Sequence, residues 1–244
     1  NSVEPGYFGS GGSMKLHVVL SILFTLISNS NVWAQQNSLK SSIKELDIRN
    51  AHYVGKTSQV IRGQAPQTNI HQLADLEVTD VLIFKNETKN EVQVELEQLK
   101  ELNIKGHHIP FLWKDIKNHK LACRQMVQAI RLIESVITEE NGKIFFHCTV
   151  GEDRTGILAG VWRLLNEKSS KAESTFQREM CQRGFAEGNP GKPEHVVSQV
   201  QENLSPLYMF FAEQIDNGLT MNNLDESLCN DYNPSVYQNI FQCH

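Results

Sequence analysis

The sequence predicts an α/β fold in a single domain, a short and mostly parallel central sheet flanked by helices on both faces. Three observations predict it. Short apolar runs at 79–84, 103–109 and 143–147 alternate with longer stretches of helical periodicity, the pattern of strands joined by crossover helices. The third run leads directly into a Cys-x5-Arg segment that opens a helix. The chain beyond residue 34 is also the right length for one domain with a full core.

The elements follow in order. Residues 1–13 end in Gly-Ser-Gly-Gly-Ser and read as a tag ahead of Met14. Lys15, the apolar stretch Val18 to Ile27 and the small residues Val32 and Ala34 make 14–34 a secretory signal, cut after Ala34. The null hypothesis of a membrane anchor is disfavoured, because the apolar run is well short of the roughly 20 residues a span needs. The mature protein is therefore expected to be exported, to a periplasm or beyond the cell. Residues 35–45 are polar and read as a flexible leader. Helices are predicted at about 68–77, 89–101, 119–139, 155–167, 170–183 and 194–216. The domain proper is 46–216, and 217–244 is a polar, loop-rich tail packed on it.

Composition excludes some functions. Lys and Arg number 23 against 28 Asp and Glu, a net charge of −5, so neither nucleic acid nor an anionic membrane is an expected partner. Positive charge for an anionic substrate must be gathered locally. The cysteines, 123, 148, 181, 229 and 243, form no CxxC pair and give no zinc signal; no metal and no cofactor is expected. If Cys148 stays reduced for chemistry, the other four can form two bridges in an oxidising compartment. Cys123 and Cys181 fit a buried, small apolar role equally well.

The informative segment is His147-Cys148-Thr149-Val150-Gly151-Glu152-Asp153-Arg154-Thr155-Gly156, between strand and helix. Five residues between Cys148 and Arg154 can wrap a cradle of backbone N–H groups, from Thr149, Val150, Gly151, Glu152 and Asp153, around one phosphate at a helix N-terminus. The same positive end favours a Cys148 thiolate. Arg154 offers a bidentate fork to phosphate oxygens. Thr155 brings a hydroxyl to the sulfur, Gly151 permits a tight bend, and His147 is expected to hold the loop. Phosphate or sulfate should bind between Cys148 and Arg154. A bare Cys-x5-Arg is weak evidence, but the flanking His, Gly and Thr-Gly make chance coincidence rare.

These residues resemble the protein-tyrosine-phosphatase superfamily, in element order over about 52–216. Arg62-Gly63-Gln64-Ala65-Pro66 is similar to a motif of its small bacterial and dual-specificity-like members. Cys148 lies late in the sheet, unlike the low-molecular-weight phosphatases. The His-Cys-x-x-Gly-x-Asp-Arg-Thr-Gly form resembles bacterial phytase-like and inositol phosphatases. The resemblance implies a metal-independent phosphate monoester hydrolase working through a phosphocysteine. Inositol polyphosphate such as phytate is the expected substrate class. A dual-specificity or tyrosine protein phosphatase and a phosphoinositide phosphatase are alternatives. It also implies a general acid on a loop before the cysteine, and Asp115 in Phe111-Leu112-Trp113-Lys114-Asp115 takes that place, with Lys114 where the family has Pro. The same Asp could instead cap the helix near 119, and Glu87 is an outside alternative acid. Lys85, Lys114, Lys117, His119 and Lys120 form a basic cluster, of which Lys85, Lys114 and His119 are the expected anchors for further phosphates. Against it, Glu152 and Asp153 add negative charge to the loop. The protein is expected to be a monomer.

Overall fold

The structure is a computed structural model that describes residues 40–112, 114, 116, 118–237 and 241–244. The expected tag and signal lie outside the described residues. Five strands form one sheet: β1 (His52–Tyr53), β2 (Val60–Gln64), β3 (Asp80–Ile83), β4 (Lys105–His108) and β5 (Ile144–Cys148), in the order β1-β2-β5-β3-β4. Only the β1–β2 pair is antiparallel; β2–β5, β5–β3 and β3–β4 are parallel. The helices are α1 (His71–Asp75), α2 (Glu91–Glu101), α3 (His119–Thr138), α4 (Asp153–Asn166), α5 (Ala172–Glu179) and α6 (Glu194–Asp216).

Strand β5 is the middle of the sheet because its residues are apolar on both faces, and all five are buried. Alternation along it sorts the core. Phe145 packs in one cluster with Ile61, Val81, Leu73 of α1, and Val92 and Leu99 of α2. Ile144 and Phe146 pack in the other, with Met126 and Ile130 of α3, Ile157 and Val161 of α4, and Leu204 and Leu207 of α6. Helices therefore cover both faces, as the sequence predicts. Helix α3 starts where the Asn118 side chain accepts from the Leu121 N–H at 3.0 Å.

Some expectations need revising. Strands β1 and β2 are absent from the sequence reading, because β2 has just two apolar residues, Val60 and Ile61, beside Arg62, Gly63 and Gln64. The helix expected over 68–77 is a 3-10 turn, Gln67–Asn69, followed by the short α1. That expected over 170–183 is α5 and a separate 3-10 turn, Cys181–Arg183, ended by Gly184. The expected leader is packed over its second half: Ile43 is buried and the Ser42 N–H donates to the Ala51 carbonyl. The tail carries 3-10 turns at Glu226–Asn230 and Pro234–Val236. Disulfides Cys123–Cys229 and Cys181–Cys243 tie it to α3 and to the turn after α5, and Cys148 stays a free thiol. Among the described residues no helix is long and apolar enough to cross a membrane.

Candidate active site

Cys148 ends β5, level with Gln64 of β2, and the chain turns through residues 149–152 into α4. The sulfur thus sits at the carboxyl end of a parallel sheet and at a helix N-terminus, two features that favour an anion. Gly151 makes the turn with φ +71°; a Cβ there would lie 2.5 Å from the Gly63 carbonyl carbon and oxygen and the Gln64 nitrogen. The Cys148 N–H donates to Thr155 Oγ1 at 2.8 Å, which closes the loop on itself. Arg154 reaches across the mouth: Nη2 donates to Thr149 Oγ1 at 3.3 Å and Nη1 to the Phe111 carbonyl at 3.4 Å.

Burial opposes ionisation of the Cys148 thiol, but the Arg154 charge and the Thr155 hydrogen bonds outweigh it and hold its pKa below that of an ordinary thiol. Asp153 acts the other way on the same thiol. His147 is fully buried behind the loop. Its Nδ1 is 2.9 Å from the Cys148 carbonyl and its Nε2 lies 2.7 Å from Glu95 Oε1 of α2, so it braces the strand end rather than facing substrate.

The other expected loop residues divide. Thr149 and Val150 are exposed at the rim. The carboxylates of Glu152 and Asp153 are buried and engaged behind the loop. Glu152 pairs with Lys192 at 2.6 Å, and Asp153 Oδ1 accepts the Ala186 N–H at 2.8 Å. Burial pushes the Asp153 carboxyl up to about 6, against the Ala186 hydrogen bond and Lys192. What these two residues offer a phosphate is their backbone.

The basic cluster divides too. Lys114 is exposed, three residues after Phe111, whose carbonyl meets Arg154. Lys85 is 3% exposed and its ammonium lies 3.3 Å from Glu91. His119 packs edge-on to Tyr232, and Lys120 donates to the Asn230 carbonyl, both toward the tail. Asp115 and Lys117 lie outside the described residues. Glu87 accepts from the N–H groups of Thr88, Val92 and Gln93, which makes it a cap for α2.

Sequence reasoning missed a layer beneath the loop. Asn50 Nδ2 and Arg62 Nη2 each donate to the Gly151 carbonyl at 2.7 Å. Arg62 Nη1 also donates to the Glu179 carbonyl at 2.5 Å. The available signal was Arg62 beside Gly63, directly after the apolar Val60 and Ile61. Together these parts give a thiol whose ionisation is favoured, a fixed cation and a preorganised anion cradle, the parts that nucleophilic attack on a phosphate needs.

A family model described as the tyrosine phosphatase family matches residues 46–170, just over half of the chain. Among solved structures the chain is similar to the core catalytic domain of the PP-IP phosphatase SIW14 from S. cerevisiae in complex with citrate, with 18% identity over 70% of this chain and 95% of that one and a TM-score of 0.46. It is similar also to P. aeruginosa TpbA in complex with pTyr, at 14% identity over 74% and 98% and a TM-score of 0.48. No curated protein matches. The chain belongs to the tyrosine phosphatase family and is a cysteine-dependent phosphatase.

Proposed function

We propose that this phosphatase hydrolyses inositol polyphosphates outside the cytoplasm. The observation that carries the reading is Lys114. It is exposed on the segment whose Phe111 carbonyl touches Arg154, and a cation carried on that segment can meet a second phosphate of a substrate held by Arg154. Two disulfides and the expected signal support export, since such bridges persist in oxidising compartments.

The reaction runs in two steps. The Cys148 thiolate attacks phosphorus, an S–P bond forms and the P–O bond to the leaving oxygen breaks. That oxygen takes a proton from Asp115. Asp115, now ionised, takes a proton from water as the water oxygen attacks phosphorus, and the thiolate leaves with Thr155 beside it. Arg154 and the loop amides hold the equatorial oxygens throughout.

A second reading, a protein phosphatase, is favoured by Lys85, whose pairing with Glu91 leaves fewer cations for a polyanion. Phosphate release measured side by side on phytate, a phosphoinositide and a phosphotyrosine peptide separates them. The proposal expects the highest kcat/KM on phytate, and Lys114→Ala to raise KM for phytate more than for a small monophosphate. A preference for the peptide, with Lys114→Ala affecting both equally, would establish the second reading.

A further inference from the structure

We infer that Asn50 and Arg62 are positioning residues of this phosphatase: together they orient the peptide between Gly151 and Glu152 so that its N–H faces the bound phosphate. In a trans peptide the C=O and the following N–H point in opposite directions. Both side chains donate to the Gly151 carbonyl, each at 2.7 Å, from beneath the loop. Pinning that oxygen downward fixes the Glu152 N–H on the opposite side, where an anion sits in such cradles.

Both donors are themselves held. Asn50 is buried and its amide also donates to the Arg183 carbonyl at 3.0 Å. Arg62 is fully buried in β2, with Glu179 accepting through its carbonyl and, at 3.4 Å, its carboxylate. Glu179 is in turn met by His52 Nε2 at 3.0 Å and Arg163 Nε at 2.8 Å. Burial opposes the Glu179 charge, but the His52 hydrogen bond and the Arg62 and Arg163 charges hold its carboxyl well below the usual range. Burial pulls Arg62 down to about 10, so it remains a cation at neutral pH.

Stability alone does not account for this cluster. A buried ion pair is expensive to desolvate, and well-packed apolar residues of similar volume often serve as well or better. Its end at a phosphate-loop carbonyl gives it a purpose that apolar packing cannot fulfil. The preorganisation it provides is what an anion-stabilising site needs.

Three variants test the inference: Asn50→Ala, Arg62→Lys and, as a control, Arg131→Ala, which removes a side chain of α3 that donates to the Met221 and Leu224 carbonyls of the tail. Each is measured for Ki of inorganic phosphate, for the pH dependence of Cys148 inactivation by iodoacetamide, and for Tm. Asn50→Ala should raise Ki about fivefold, the worth of one neutral hydrogen bond, and move the inactivation profile to higher pH. Arg62→Lys should do the same at about tenfold or more. Arg131→Ala should lower Tm while leaving Ki and the profile unchanged. The inference is overturned if Asn50→Ala leaves Ki and the profile at wild type. It is equally overturned if Ki follows Tm alike in all variants, Arg131→Ala included. Should Arg62→Lys fail to fold, Asn50→Ala decides, because it leaves the Arg62–Glu179 pair intact.

Discussion

Gly151→Ala puts a methyl group where the loop has no room for one. The position has φ +71°, and the new Cβ would stand 2.5 Å from backbone atoms of Gly63 and Gln64. Those atoms belong to β2, which is paired with β5 along its whole length, so the strand cannot retreat and the loop must. The left-handed conformation costs an alanine roughly 1–2 kcal/mol. Displacing the peptide also forfeits the hydrogen bond from cationic Arg62, roughly 1.5–3 kcal/mol, and that from Asn50, about 0.5–1.5 kcal/mol. The loss is about 3–6 kcal/mol. Falling on the cradle, it lowers kcat/KM by about 10²–10⁴-fold, at 1.36 kcal/mol per tenfold. The assay is release of p-nitrophenolate from its phosphate ester, with circular dichroism to confirm an unchanged fold. A kcat/KM within threefold of wild type would refute the reasoning that Gly151 builds the cradle.

Other outcomes are expected. Folding raises the Asp153 carboxyl to about 6 from an ordinary value near 3.9. Its contribution to stability is therefore full below about pH 4 and is lost as pH rises through 6, roughly 3 kcal/mol in all. Asp153→Asn keeps the acceptor for Ala186, so urea midpoints should flatten between pH 4 and 7 and the Cys148 inactivation profile should move to lower pH; an unchanged slope would contradict this. The disulfides span 106 and 62 residues, so replacing either pair with Ser should cost about 4–5 kcal/mol, or about 8–20 °C in Tm at roughly 2–4 °C per kcal/mol. A Tm unmoved by reductant would deny the bridges. Asp115→Asn should lower kcat on alkyl phosphates by about 10²–10⁴-fold and far less on a good aryl leaving group; equal losses would point to another acid.

How much of this was legible depended on where the signal lay. Strand β4, exposed to half-buried along its length, is legible only from its place between two helices, while β3 and β5 announce themselves as buried runs and helices α2, α3, α4 and α6 by their helical period. Strand β2 does not, since its function puts Arg62 and Gly63 in a slot that packing alone would fill with apolar residues. Cys148, Arg154, Thr155 and Gly151 could be read as a site because their chemistry fixes their spacing in sequence. Asn50, Glu95, Glu179 and Lys192 could not, because they meet the loop across separations such as the 101 residues between Asn50 and Gly151. The inward turn of Glu152 and Asp153 is a tertiary outcome, decided by Lys192 and the Ala186 amide. The pairing of four cysteines is likewise set by how the tail lies on α3 and the turn after α5.

The mechanism turns on the transfer of the phosphoryl group to Cys148. It is tested most directly by acid-quenching the enzyme during turnover of p-nitrophenyl phosphate and mapping the phosphorylated peptide by mass spectrometry. The expected result is phosphate on Cys148 in the wild type, with no phosphoenzyme and no turnover in Cys148→Ser. Phosphate on another residue, or turnover in Cys148→Ser above about a hundredth of wild type, would contradict it.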